Sequence, residues 1–356
     1  MWVTLPIAFV MALGLTPLVI GVLRQRGFID VPNVRSSHEI PTPRGGGVAV
    51  AVAALSALVV GWLITGVSSR ALVVAGLGFG LIGLADDIRS RPPFLRLFFQ
   101  FAVSTAAVLL LLRWTDVHVF AYVVLAITAI VGLVAFVNAF NFMDGINGIS
   151  VAQAAVAGLA WAIMGTVEGA GQLVVGGGAL AGAALGFAPF NVIRARVFLG
   201  DVGAYFLGAY MGVLALIGLA SGIAPEACLA PTLIYFLDTG TTLVWRIRHG
   251  EQWHQPHRHH VYQRLTDAGW SHLRTALFAA GIIGLCAVLG MLAANRALIA
   301  RLIADAGLVL AAFAYLDWPD APRPAETSEA RNKTPAETAG EAAEPEPRPR
   351  RRRSNR

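Results

Sequence analysis

Asp86 and Asp87 stand side by side at the end of an uncharged run. Two neighbouring carboxylates at a helix C-terminus repel each other and face the negative end of the helix dipole, so this pair demands a positive partner. Arg89 or Arg91 in the same loop would serve, as would a divalent metal or a proton or phosphate handled at that point. A second group is the stretch from Asn138 to Gly148, in which Asn138, Asn141, Asp144 and Asn147 recur every third residue. At helical or 3₁₀ geometry their amides and carboxylate share one side while Phe140, Phe142 and Ile146 anchor the other, and Gly145 and Gly148 let the backbone turn or approach a ligand. Third, Asp201 lies between Gly200 and Gly203 at the start of another apolar run. It is placed either to cap a helix or to meet a metal or ligand, with Arg194 and Arg196 upstream suited to phosphate.

Two loops add candidates. His254, His257, His259 and His260 fall within seven residues, interleaved with Arg258 and followed by Tyr262 and Arg264. No cysteine accompanies them and the spacing fits no common zinc module, so they read as partly cationic donors for a phosphate-rich ligand. The stretch from Arg35 to Gly47 contains Thr42 and Arg44, and it ends in three glycines whose N–H groups could cradle a phosphate. It matches neither of the common nucleotide-binding glycine patterns. Asp238 is unusual in another way, because it lies inside an apolar segment where a carboxylate is costly and must face the protein interior.

The elements that must hold these groups are hydrophobic throughout. Of 356 residues, 56% are hydrophobic and 13% charged, about half the charge of an ordinary soluble domain, which excludes a typical cytosolic enzyme. Uncharged segments occur at 3–23, 46–66, 71–85, 97–112, 118–137, 149–167, 171–190, 202–220, 224–245, 275–293 and 297–314. Their length and continuity predict an all-α polytopic transmembrane bundle of about eleven spans, and they lack the alternation of a membrane β-barrel. Numbering the loops alternately places 23 of the 27 basic residues on one side, nine of them in the C-terminal tail. Only Arg70, Arg113, Arg296 and Arg301 fall on the other. By the positive-inside rule the N-terminus is then periplasmic and the C-terminus cytoplasmic. The net charge of +6 is thereby explained as topology, without nucleic acid. With no basic residues ahead of it, the first segment reads as a retained helix. Residues 1–315 read as one integral-membrane domain, and 316–356, rich in Pro, Ala, Glu and Arg, as a disordered basic tail near anionic headgroups. Cys228 and Cys286 read as packed apolar residues.

Every one of these polar clusters falls at the same predicted membrane face. Together they specify phosphate chemistry with an oxygen-ligated metal, most simply Mg²⁺.

The Asp-Asp pair, Asn-Ala-Phe-Asn-Phe-Met-Asp-Gly-Ile-Asn-Gly, Phe-Leu-Gly-Asp-Val-Gly and the His-Arg-His-His loop resemble, in order and spacing, the polyprenyl-phosphate N-acetylhexosamine-1-phosphate transferase superfamily. The resemblance spans roughly residues 1–315. Pro-Asn-Val-Arg-Ser-Ser-His and Pro-Thr-Pro-Arg-Gly-Gly-Gly look most like the branch that starts O-antigen and related surface glycans. Asn147 and His38 stand where the peptidoglycan branch, the phospho-MurNAc-pentapeptide translocases, usually has Asp and Lys. The resemblance implies Mg²⁺-dependent transfer (Mn²⁺ as substitute) of a sugar 1-phosphate from a UDP-N-acetylhexosamine to undecaprenyl phosphate in the bacterial inner membrane, releasing UMP. It implies Asp201 on the metal, Asp86 and Asp87 at the lipid phosphate or completing the metal site, and Asp86 as the proton acceptor. It puts Asn138, Asn141, Asp144 and Asn147 around the nucleotide and His257, His259 and His260 at the sugar or diphosphate, with Thr42 and Arg194 as further substrate contacts. Membrane lipids are the other implied partners, and an oligomer is compatible with the sequence. The rival reading is a secondary transporter for an anionic metabolite, which would place its ionisable groups near the bilayer midplane.

Overall fold

The computed structural model describes residues 1–32, 40–112, 118–251, 257–294 and 297–318. The helices are α1 (Thr4–Gln25), α2 (Gly47–Thr65), α3 (Arg70–Ile88), α4 (Pro93–Leu111), α5 (Val119–Met143), α6 (Ile149–Val167), α7 (Gly171–Asn191), α8 (Gly200–Ala220), α9 (Pro225–Leu229), α10 (Leu233–Arg248), α11 (Val261–Asp267), α12 (His272–Ala293) and α13 (Leu298–Leu316). Among the described residues eleven spans are long and apolar enough to cross a membrane, with α9 and α10 forming one of them. Their bounds follow the uncharged segments of the sequence closely. The largest change is in α5, which continues to Met143 and so carries Asn138 and Asn141 on a helix instead of in a loop.

The ninth span is interrupted. Pro231 cannot donate a backbone hydrogen bond, and a 3₁₀ turn over Ala230–Thr232 joins α9 to α10. Side chains of α6 take up carbonyls at this break: Trp161 Nε1 donates to Cys228 O at 3.1 Å and Gln153 Nε2 to Pro231 O at 2.6 Å. Membrane helices tolerate a break only where such replacements exist.

Helices α7 and α8 form the centre, each with 83% of its apolar window buried inside the protein, against 22% for α1, α4 and α5 at the periphery. The glycines and alanines of α7 allow α1 to pack closely against it, and Thr4 Oγ1 donates to Val175 O at 2.9 Å between the two. Both cysteines are buried and free. Outside the helices, β1 (Ile29–Asp30) pairs antiparallel with β2 (Thr42–Pro43) in the loop between α1 and α2. Because successive spans alternate in direction, the C-terminal ends of α1, α3, α5, α7 and α10 meet the N-terminal ends of α2, α4, α6 and α8 at one end of the bundle. All the chemistry-bearing clusters of the sequence lie at that end.

Candidate active site

The site is built where the end of α3 meets the start of α8. Gly83 lets the helices touch, because a Cβ there would run into the Asp201 carbonyl. Gly200 opens α8 at φ 74°, a conformation costly for other residues, and a Cβ there would lie 2.7 Å from Asp87 Oδ2. Held this way, Asp87 accepts hydrogen bonds from the backbone N–H groups of Asp201 (3.0 Å) and Val202 (2.9 Å). A carboxylate at the end of α3 is thus stabilised by the positive end of α8. The other partner is Arg44, which lies just after β2 and whose backbone N–H donates to Phe28 O at 3.1 Å. Its Nε lies 3.0 Å from Asp87 Oδ1 and its Nη2 2.9 Å from Asp201 Oδ1. Asn141 Nδ2 also donates to Asp201 Oδ1, at 3.2 Å.

Asp86 is bound separately. It accepts from the backbone N–H of Arg91 at 2.7 Å and from Arg96 Nη1 at 2.6 Å, and Arg96 Nη1 also donates to the Tyr205 hydroxyl at 3.2 Å. The cation demanded by the aspartate pair is therefore supplied twice, by Arg44 and Arg96, and not by the side chains of Arg89 or Arg91. The side chains of Asp86 and Asp87 are 4% and 5% exposed, that of Asp201 18%, so Asp201 is the aspartate of the three that reaches the cavity.

That cavity has a volume of about 340 Å³. Asp30, Arg44, Asn141, Asp144, Asn147, Asn191 and Asp201 line it from the bundle side, and Arg258, Tyr262, Gln263 and Thr266 from the segment leading into α11 and from α11 itself. Asn191 fixes the turn before α6, accepting from Gly148 N–H at 2.9 Å and donating to Val197 O at 3.0 Å. Burial, followed by the nearby carboxylates Asp201 and Asp87, pushes the Asp144 carboxyl up to about 7. Arg258 reaches the cavity while paired with Asp267 at 2.6 Å.

The sequence of residues 69–219, from α3 to α8, matches the family model described as glycosyl transferase family 4. Over this stretch the chain is similar to glycosyl transferase family 4. The matched region contains Asp86, Asp87, Asn141, Asp144 and Asp201, while Arg44 and the histidine segment lie outside it. Among its curated relatives is a Bacillus subtilis protein named a probable undecaprenyl-phosphate N-acetylglucosaminyl 1-phosphate transferase, 24% identical over 76% of this chain and 78% of the relative. Another is a decaprenyl-phosphate N-acetylglucosaminephosphotransferase of Mycolicibacterium smegmatis, 28% identical over 73% of this chain and 74% of the relative.

Several expected contacts are placed elsewhere. Asn138 points away from the cavity, and its Nδ2 donates to Gln100 Oε1 at 2.7 Å and to Val134 O at 2.8 Å, joining α5 to α4. Thr42 is buried in β2 and donates to Ile40 O at 2.8 Å, and Arg194 is exposed outside the lining. The glycine N–H groups expected to cradle a phosphate are already engaged: Gly45 and Gly46 donate to Phe198 O and Gly47 to Leu199 O. Of the histidines, His254 lies outside the described residues, as do His38 and the tail from residue 319. His257, His259 and His260 are not among the lining residues. Burial, followed by the neighbouring His260, Arg246 and His259, pulls His257 down to about 3, so it is neutral and not the cationic donor the loop suggested. His259 faces Glu251 at 3.4 Å, and His260 is 3% exposed and directed at Asp238. Their neighbour Arg258 reaches the cavity instead. Asp30 and Asn191 carry no motif, and sequence reasoning passed over both.

Proposed function

We propose that the protein transfers an N-acetylhexosamine 1-phosphate from a UDP-sugar to undecaprenyl phosphate at the cytoplasmic face of the bacterial inner membrane, releasing UMP and starting a lipid-linked surface glycan. The observation that carries this reading is Asp201 at the wall of the cavity, fixed by Arg44, Asn141 and an α8 N-terminus tied to Asp87. The names of both relatives support it, since each describes transfer of N-acetylglucosamine phosphate to a polyprenyl phosphate. The excess of arginine at this end of the bundle supports a cytoplasmic site, a periplasmic N-terminus and a cytoplasmic C-terminus. A transporter would hold its ionisable groups near the midplane, whereas here they gather at helix ends.

In the reaction an oxygen of the lipid phosphate forms a bond to the β-phosphorus of the donor as the bond from that phosphorus to the bridging oxygen breaks, and UMP departs with the electron pair. A phosphate monoester has a second pKa near 6, so the nucleophile is already largely ionised at neutral pH and needs no strong base. The obstacle is repulsion between two anions. Arg44 and Arg258 are the cations of the lining, each also paired with carboxylates, and would offset this repulsion by direct contact with the phosphates. Arg96 holds Asp86 at the foot of α4, which exposes Phe94 and Phe98 as an apolar surface suited to a prenyl chain.

The residues present fit Mg²⁺. Among the described residues no three His, Cys, Asp or Glu side chains form a metal cage. Mg²⁺ does not need one, because it is usually held by one or two carboxylates together with substrate phosphates and water. Asp201 would hold it, with Asp144 and Asp30 the further carboxylates of the cavity lining. When bound, it supplies charge neutralisation at the diphosphate.

The test uses purified protein with UDP-GlcNAc and undecaprenyl phosphate. Asp201→Ala is expected to abolish Mg²⁺-dependent UMP release. Rates in that variant equal to wild type, or Mg²⁺-independent uptake into proteoliposomes with no UMP formed, would overturn the assignment.

A further inference from the structure

Asp238 is a carboxylate 1% exposed on α10, outside the cavity lining and unused by the mechanism above. A buried carboxylate persists only where donors surround it. Here they come from three elements. The backbone N–H of Val261, the first residue of α11, donates to Oδ2 at 3.0 Å, and His260 Nδ1 lies 3.1 Å from Oδ1. Thr242, one turn along α10, donates to Oδ1 at 3.3 Å. The Tyr315 hydroxyl, from the last turn of α13, donates to Oδ2 at 3.0 Å. A second bond runs between the same partners, with Arg264 Nη2 of α11 donating to Leu316 O at 2.9 Å.

These bonds converge on the short helix that forms one wall of the cavity. Tyr262, Gln263 and Thr266 line it from α11, and Arg258 lines it just before His260. Seven residues make a helix too short to hold its own place in water, so its position must come from what it is tied to. Helix α13 contributes nothing to the lining, yet it supplies Tyr315 and the Leu316 carbonyl to the tie.

We infer that Asp238 and Tyr315 are positioning residues for this wall: the last transmembrane helix sets the donor-binding side of the cavity through Tyr315, Asp238 and the N-terminus of α11. The inference rests on the proposed transferase reaction for its kinetic form only. Asp201, Arg44, Asn141 and Asp87 are held by other elements, so loosening α11 weakens donor binding and leaves the reacting groups in place.

The experiment uses the full chain in nanodiscs. Tyr315→Phe removes one hydroxyl, and it is expected to raise KM for UDP-GlcNAc about fivefold or more while kcat stays within about twofold. Asp238→Asn gives the same split, because its amide presents a donor among donors. Arg301→Ala loosens the opposite end of α13, where Arg301 pairs with Glu226, and leaves KM unchanged. Amide hydrogen exchange over residues 261–267 is measured in parallel and accelerates in Tyr315→Phe but not in Arg301→Ala. Unchanged KM and unchanged exchange in both Tyr315→Phe and Asp238→Asn would overturn the inference, as would a fall in kcat with KM unchanged. Absence of UMP release from the wild type would instead defeat the transferase reading, while exchange would still report on the tie.

Discussion

Replacing Arg44 with lysine tests whether the site depends on a bridge or only on a positive charge. The guanidinium joins two helices, with Nε 3.0 Å from Asp87 on α3 and Nη2 2.9 Å from Asp201 on α8. A lysine ammonium is a single point charge and can hold one of these carboxylates closely, not both. One charge-assisted hydrogen bond is lost, worth about 1.5–3 kcal/mol when shielded from water. The Arg44 side chain is 43% exposed, so screening reduces this to about 1–1.5 kcal/mol. At tenfold per 1.4 kcal/mol, Arg44→Lys should lower kcat/KM about 5- to 12-fold. The backbone at this position is fixed independently by the bond to Phe28 O and the bridge to Phe198, so the fold should survive. Initial rates of UMP release at sub-saturating UDP-GlcNAc give the value directly. Arg44→Ala, which leaves Asp87 and Asp201 facing each other without a cation, should lose about a hundredfold or more. A lysine variant within twofold of wild type would refute the bridging argument, and so would lysine and alanine variants of equal activity.

The Asp144 carboxyl sits at about 7 against an ordinary 3.8, so the folded protein binds a proton that the unfolded chain has released in this window. Asp144 therefore contributes a fall in thermal stability as pH rises from 3.8 toward 7, and Asp144→Asn should make that slope shallower in a melting series. Gly200→Ala forces an L side chain to φ 74° beside Asp87 and should destabilise the protein by about 1–3 kcal/mol, seen as reduced folded yield and Tm. Chelation of divalent cations should stop UMP release, and Asp201→Asn should raise the Mg²⁺ concentration for half-maximal rate about tenfold or more. Alkaline phosphatase fused after Gly66 should be active and after Arg89 inactive, which tests the proposed orientation.

Much of this arrangement was legible because a membrane allows few alternatives. The eleven uncharged stretches could only be helices, and their alternation brought Asp86, Asp87, Asn141, Asp144 and Asp201 to one end. What failed was finer geometry. Counting polar residues every third position grouped Asn138 with Asn141, yet α5 persists to Met143, and Asn138 faces Gln100 on α4. The histidine segment looked like a binding loop because histidine is a versatile donor. His260 instead turns inward to a carboxylate 22 residues earlier, a long-range pairing that no local pattern announces. Arg44 as the bridge and Asn191 as the brace of the α6 turn depend on partners more than 40 residues away, and spacing carries no trace of them.

The carboxylate of Asp87 and the amides it anchors are 114 and 115 residues apart in the chain. A ribosome making about 5–20 residues per second takes on the order of ten seconds to travel that distance. During that interval the aspartate pair has no α8 to receive it. The tie from Tyr315 follows later still, with α13. A chain that ends before α8 therefore cannot form the contact between Asp87 and the amides of Asp201 and Val202, whereas one that lacks only α13 keeps that contact and loses the tie to α11.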